Sequence, residues 1–498
     1  MAHLPPYLLL TPDEMARADR MARESGIASF DLMVRAGYAV AAAALHRFPE
    51  ARRFAILCGP GNNGGDGYVA GRALAASGAN VAVFTHGHPD DLKGDARLAF
   101  EAWRGAVAHL GKYEPQPGDI VVDALFGAGL SREVSREVAE VIAAVTEAAV
   151  PVLAVDLPSG LSGRSGKTLG AAFKADRTIT FMARKPGHLL LPGRSLCGDI
   201  EVADIGIPKR IIGAAAGMLG ENLPELWSTL LPLAGSNSHK YRRGHLAVFS
   251  GEASKTGAAR LSALAGLKTG AGLVTVASPA DAMATNAAHL TAVMLRQVET
   301  AADLDEWLER AKISAFVLGP GFGVGTRAID FVLGLKSKPL VLDADGITSF
   351  KDDPPALFKA FAHGEVRLVL TPHEGEFGRL FPDVAADETL SKVEKALRAA
   401  KRARAVIVYK GADTVIASPD GRALINTNGP PSLATAGSGD VLAGMIGAFL
   451  AQGMPAVEAA AAGVYLHGEA ANIAGAGMTA EDLAELAGQA MANLSRSR

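Results

Sequence analysis

Apolar residues along this 498-residue chain gather in short runs separated by Ala-rich stretches with helical spacing. FAILC (54–58), VAVF (81–84), DIVVDALFG (119–127) and VPVLAVD (150–156) read as buried parallel strands. Between them, residues 68–77, 92–103 and 133–148 carry the spacing of helices. Alternation of this kind predicts a doubly wound α/β sheet. Two helices precede it, over 11–24 and 29–48, the first with Thr11 as cap, Pro12 at the first helical position and Glu14 three residues after the cap. The pattern then lapses: 211–238 holds scattered Gly, Pro224 and Pro232, which predicts a linker. From His245 a second α/β series begins, with HLAVFSG, AGLVTVAS, AFVLGPG, PLVLDADG, VRLVLTPHEGE and RAVIVYKG. Each run ends in Gly, Ser, Thr or Asp, at the strand end where open α/β sheets bind ligands. The halves share no repeat, so the expected organisation is one domain over 1–210, a linker over 211–238 and an unlike domain over 239–498.

Composition narrows the classes. The chain exceeds the ~250–300 residues at which single cores stop growing. Forty-nine basic residues against 52 acidic ones, a net of −3, give no footprint for nucleic acid, and aromatics at 6% supply few stacking platforms. No apolar run approaches the ~20 residues that span a bilayer; the longest, 442–466, is broken by Gln452, Pro455 and Glu458. Residues 1–11 contain Pro5 and Pro6 without a basic region or long apolar core, so no secretory signal is expected. Cys58 and Cys197 lie outside any metal-ligand spacing and read as buried small hydrophobes in a reducing compartment. A cytoplasmic protein with no nucleic-acid or membrane partner is the expectation.

The sharpest motif is CGPGNNGGDGY (58–68), directly after a strand and before a helix. Its glycines let backbone amides approach a ligand, a corner suited to phosphate or pyrophosphate, and Asp66 can cap the following helix. No Lys-Ser/Thr ending follows, so triphosphate hydrolysis is not indicated. Asp123 and Asp156 stand at two further strand ends, in VVDALFGAGLSRE and AVDLPSG. An Asp there is often only a cap, but two beside the Gly-rich loop make a joint site. In the second half, TAGSGDVLAG (435–444) opens an apolar helix at Asp440, with Gly437 and Gly439 framing an anion hole. Asp440 can serve there as base toward a hydroxyl receiving a phosphoryl group. GPGFG, LDADG, TPHEGE and VYKGADT stand at other strand ends, and Lys410 suits a nucleotide phosphate.

CGPGNNGGDGY, DALFGAGLSRE, DLPSG, KPGHLLLPG and ADIGIP, with Asp19, Gly26, Leu32, Met33, Ala36 and Gly37, resemble the epimerase domain of NAD(P)H-hydrate repair enzymes. That resemblance implies a Rossmann-like fold in which Asn62, Asn63, Gly64, Gly65, Asp66, Gly127, Ala128, Gly129, Leu130, Ser131, Arg132 and Glu133 hold the hydrated dinucleotide. Asn63, Asp123 and Ser159 would bind a potassium ion, and Asp156 would face the nicotinamide ring as a catalytic residue. HKYRRGHLAVFSG, GPGFG, TPHEGEFGRL, KGADT and the Asp440 corner resemble the ribokinase-like dehydratase domain of the same family. Substrate contacts are implied at Ala258, Gly323, His373 and Asp440, the last as catalytic base. Nucleotide contacts are implied at Lys410, Gly411, Ala412, Asp413, Thr414 and Gly439, with magnesium and ADP or ATP as phosphoryl donor.

Glu374 departs from the usual Pro, and Pro431, Ser432, Ala436 and Ser438 replace Asn, Gly, Gly and Thr, yet Gly437, Gly439 and Asp440 are kept. The implied activity is repair of hydrated NADH and NADPH: interconversion of the R and S hydrates at C6, then nucleotide-dependent dehydration of the S epimer by a homo-oligomer. The rival is a ribokinase-like small-molecule kinase fused to a dinucleotide-binding sensor.

Overall fold

The computed structural model describes residues 4–232 and 243–496 as two compact units, one ending at Leu219 and the next starting at Gly220. In the first unit seven parallel strands lie in the order β3-β2-β1-β4-β5-β6-β7. They are β1 (Arg53–Cys58), β2 (Val81–Thr85), β3 (Val107–His109), β4 (Asp119–Ala124), β5 (Val152–Val155), β6 (Arg177–Phe181) and β7 (Asp199–Ala203). Side chains alternate between faces as strand geometry requires. Phe54, Ile56 and Cys58 join one core, shared with helices Pro12–Glu24, Ser29–Arg47 and Asn62–Ala76. Ala55 and Leu57 join the other, shared with helix Arg136–Glu147. This is the doubly wound arrangement expected, with Thr11, Pro12 and Glu14 forming the anticipated capping box.

Three strands escaped the pattern. The β7 run DIEVA is largely exposed and half polar, β3 is only three residues long, and RTITF in β6 is split by threonines. The helix expected over 68–77 in fact starts at Asn62, inside the Gly-rich loop. Lacking side chains, Gly64 and Gly67 let its first turns lie against the Gly59 carbonyl and Ala124. Asp66 is therefore a buried mid-helix residue and not its cap.

The second unit is built on ten strands in the order β11-β10-β9-β12-β13-β14-β15-β16-β17-β8. They are β8 (Leu219–Glu221), β9 (His245–Phe249), β10 (Leu273–Ser278), β11 (Met294–Gln297), β12 (Ala315–Leu318), β13 (Leu340–Leu342), β14 (Leu368–Leu370), β15 (Val406–Tyr409), β16 (Val415–Ala417) and β17 (Ala423–Ile425). From β11 to β15 neighbours are parallel; β16 and β17 are antiparallel. Helix Ser438–Ala451 is apolar on all sides and almost wholly buried, as a central helix must be. It packs with helices Thr256–Lys268, Ala456–Ala474 and Ala480–Arg496. The apolar stretch 442–466 is thus two helices, and no helix among the described residues is long and apolar enough to cross a membrane.

The described part of 211–238 is folded, against the expectation of a linker. Ile211, Ile212 and Ala215 belong to the first core. Trp227 is fully buried in the second, its indole N–H donating to Asn222 at 3.1 Å. Scattered Gly and Pro hid these anchors. Residues 233–238, and the opening of HKYRRGHLAVFSG, lie outside the described residues.

Candidate active sites

In the first unit a cleft of about 690 Å³ opens beyond β1 and β4, where the strand order reverses. Ligands of doubly wound sheets bind at such switch points. Asn62, Asn63 and Asp66 reach it from the start of their helix, whose first amides have no acceptor within the helix. Gly127, Ala128, Gly129, Leu130, Ser131 and Arg132 supply the loop after β4. Helix Pro12–Glu24 adds Asp19, Arg20 and Arg23. Three expected contacts do not line it. Gly64 and Gly65 serve close packing against Gly59 and Met33, and Glu133 lies beyond the lining stretch of its loop.

Asp156 follows β5 and sits at φ 66°, a left-handed conformation that costs a non-glycine residue about 1–3 kcal/mol unless its surroundings over-determine it. They do so here. Its Oδ1 accepts from Lys185 Nζ at 2.7 Å and from Thr180 Oγ1 at 3.0 Å, and its Oδ2 accepts from the Ala128 amide at 2.8 Å. Burial alone would raise this carboxyl, but the Lys185 ammonium and these hydrogen bonds outweigh it and hold it at about 2. Asp66, in the same cleft, behaves oppositely. Burial, with the charges of Asp156 and Asp19 added, pushes it well above the usual carboxylate value and favours its protonated form.

Asp123 and Ser159 do not line the cleft; they are fully buried behind it. Ser159 Oγ and its amide donate to Asp123 at 2.6 and 2.7 Å, and Ser159 Oγ accepts from the Phe126 amide at 2.8 Å. Burial pushes the Asp123 carboxyl up to about 6 despite the Ser159 bonds. Asn63 Nδ2 is buried without a hydrogen-bond partner among the described residues, and its Oδ1 lies 2.9 Å from where a Cβ on Gly127 would stand. Carboxylate, hydroxyl and amide oxygens form a hard donor set that suits an alkali cation.

In the second unit the strand ends converge on Lys410. Its ammonium lies 2.7 Å from Asp343 and 3.9 Å from Glu376, and a Cβ on Gly439 would stand 3.3 Å from it. Gly437, at φ 84°, starts helix Ser438–Ala451 two residues earlier than Asp440, the expected opening. His467, buried and neutral with a pKa lowered to about 4 by burial, donates from Nε2 to the Ser438 carbonyl at 2.9 Å and pins this corner. Asp440 is pushed up to about 6 by burial and the Asp343 charge, with Lys410 opposing.

The remaining expected contacts have local partners of their own. His373 bonds Glu376 and caps helix Glu374–Leu380. The Gly323 amide donates to Asp345 at 3.0 Å, and Ala258 stands beside Gly321. Gly411 and Thr414 close a turn on each other, while Asp413 is paired with Lys392 at 2.7 Å and Ala412 lies between them. Glu374 accepts from Tyr409 Oη at 2.5 Å, a bond that a proline could not make.

Sequence reasoning assigned no role to Lys185, Thr180, His188, Asp343 or Glu376. Lys185, His188, Asp343 and Glu376 lie inside recognisable motifs, but only the fold pairs them with their partners.

Two family models match the chain. One, described as YjeF-related protein N-terminus, matches residues 29–187, and the other, described as NAD(P)H-hydrate dehydratase, matches 246–493. A bifunctional NAD(P)H-hydrate repair enzyme from Moorella thermoacetica is 40% identical, covering 93% of this chain and 91% of its own. The one from Escherichia coli is 34% identical over 96% of this chain and 93% of its own. A solved ADP/ATP-dependent NAD(P)H-hydrate dehydratase from Bacillus subtilis, co-crystallised with ATP and Mg²⁺, is 26% identical, covering 55% of this chain and 98% of its own, at TM-score 0.46. With both halves matched in order and full-length relatives of this identity, the chain belongs to the family of bifunctional NAD(P)H-hydrate repair enzymes.

Proposed function

We propose that the first unit epimerises hydrated NAD(P)H at C6 and that the second dehydrates the S epimer at the expense of a nucleotide, with ADP as donor. The observation that carries this reading is one cleft at the reversal of strand order that is lined by two carboxyls in unlike surroundings, Asp156 bonded to the Lys185 ammonium and Asp66 buried without a cation bonded to it among the described residues. Environments that push two groups apart fit them to different tasks, one to exchange a proton and one to stay charged. Asp66 gives its proton to the C6 hydroxyl, which leaves as water while the ring nitrogen lone pair forms an iminium. The fixed Asp156 carboxylate stabilises that positive charge. Water returns on either face, and its spare proton goes back to Asp66. A potassium ion held by Asn63, Asp123 and Ser159 would supply positive charge near the dinucleotide.

In the second unit, Asp440 takes the proton of the C6 hydroxyl as that oxygen accepts the phosphoryl group. Phosphate then leaves C6, pushed by the ring nitrogen, and loss of the C5 proton restores the dihydronicotinamide. Gly439 and Lys410 border the phosphoryl group, and magnesium would neutralise the charge of the nucleotide phosphates. A cytoplasmic setting fits the two buried, unpaired cysteines. Self-association is tested by sedimentation.

Incubating the protein with racemic hydrated NADH and ADP, ATP or no nucleotide tests the reading. Nucleotide-dependent return of the full NADH absorbance is expected. Accumulation of a stable phosphorylated substrate would instead establish a small-molecule kinase.

A further inference from the structure

The motif KPGH, residues 185–188, belongs to the family resemblance but has no task in it. Its two polar side chains both close on Asp156. Lys185 is 2% exposed, and its ammonium spends its three protons on Asp156 Oδ1 at 2.7 Å, Thr180 Oγ1 at 2.8 Å and the Phe181 carbonyl at 3.4 Å. His188 is fully buried and neutral, its pKa lowered to about 4 by burial and the Lys185 charge. Its Nδ1 accepts from the Lys185 amide at 2.9 Å, so the proton sits on Nε2 and is donated to the Asp156 carbonyl at 2.9 Å. One turn thus holds the carboxylate from one end and the left-handed backbone from the other.

We propose that Lys185 and His188 are the positioning residues of the epimerase site, holding Asp156 so that its Oδ2 is aimed at the cleft beside Gly127. This rests on the role given to Asp156 above. A merely structural turn has no need of a buried ammonium, since an apolar side chain would fill the space without desolvating a charge. Oδ1 accepts from both Lys185 and Thr180, whereas Oδ2 accepts, among the described residues, only the Ala128 amide and lies 2.7 Å from where a Cβ on Gly127 would stand. The titratable groups facing Asp156 are Lys185, His188, Asp66 and Asp19, and Lys185 is the only cation bonded to it among the described residues.

The test uses the full-length protein, the R hydrate of NADH and no nucleotide, following formation of the S hydrate by chromatography. Lys185→Met should lower kcat about 100-fold, the scale set by misplacing a reacting group by an ångström, with KM little changed. Its acid limb should move to higher pH, because burial of Asp156 is then opposed by the Ala128 and Thr180 hydrogen bonds without the Lys185 charge. Lys185→Arg should restore much of the rate, and His188→Gln, which keeps an amide donor, should lose less than His188→Ala. If Lys185→Met fails to fold, His188→Ala decides. Wild-type kcat in Lys185→Met with an unmoved acid limb, or in His188→Ala, would overturn the positioning role. Asp156→Asn separates the two levels. If it epimerises normally, the site reading itself falls. If it is inactive while every Lys185 and His188 variant behaves as wild type, only the present inference falls.

Discussion

The two units contain the same pair of devices in different proportions. Each has a lysine 2.7 Å from a buried aspartate and a neutral histidine donating to a backbone carbonyl at the functional turn. In the first unit the ammonium bonds the site carboxylate directly, acting on Asp19 only through space, and Asp156 is held at about 2. In the second, Lys410 is shared among Asp343, Glu376 and Asp440, and Asp440 stays near 6. A dedicated cation makes a permanent anion, suited to stabilising a positive ring. A shared one leaves a carboxyl that can take a proton near neutral pH, as a base must. The contrast follows from which carboxylate the lysine bonds: Asp156 itself in the first unit, Asp343 and not Asp440 in the second.

Removing the base from the shared site is the strongest way to break this comparison. Asp440→Asn should reduce NADH recovery from the S hydrate by ~10²–10⁴-fold, with epimerisation unchanged. Near-normal recovery would show that the base lies elsewhere. A sharper test removes the sharing. Wild-type dehydration should fall as pH drops through about 6, where Asp440 becomes protonated. Lys410→Met should move that limb to higher pH, and below the limb the rate should drop about tenfold for every pH unit. A limb that stays in place would mean that Lys410 does not act on Asp440.

Strand–helix alternation made the central strands of both sheets legible, because buried parallel strands are short uninterrupted apolar runs, whereas β8, β11, β16 and β17 of the second sheet escaped it like the three of the first. The Gly-rich corner, Asp123 and Asp156 were legible because they punctuate strand ends, and Asp440 because glycines frame the start of an apolar helix. Lys185 was not, since a buried lysine differs from a surface one only by its partner, and Asp156 lies far away in sequence. Asp343 and Glu376 stand inside recognisable motifs, yet their common tie to Lys410 exists only once β13, β14 and β15 lie side by side. Trp227 was masked by neighbouring prolines that ordinarily signal a loop.

A smaller effect tests the third carboxylate of the first unit. Asp123→Ala removes the only formal charge among Asn63, Asp123 and Ser159. With racemic hydrate, ADP and slow spontaneous epimerisation, conversion should stop near half, the S portion alone being consumed. Full conversion at the wild-type rate without potassium dependence would make Asp123 a structural residue. The smallest effect concerns Tyr409. Tyr409→Phe should cost about 1 kcal/mol of stability, the worth of one hydrogen bond, seen as a slightly lower thermal transition with dehydration retained. Loss of dehydration would show that the bond to Glu374 shapes the nucleotide turn.

The fold of the second unit also dictates an order of events at the ribosome. Strand β8 and Trp227 are made before any other part of that sheet, yet their partners come late. The Asn222 amide bonds the Ile425 carbonyl at 2.8 Å, its side chain reaches Asn426 and the Ala461 carbonyl, and Trp227 packs edge-on to Tyr465. Domains fold as units during synthesis. An unpaired sheet edge and a large indole therefore wait, uncovered, until nearly the whole second unit has been translated. The first-made strand of the domain is thus closed by segments made some two hundred residues later, so a nascent chain halted before residue 461 lacks the partners that cover Trp227.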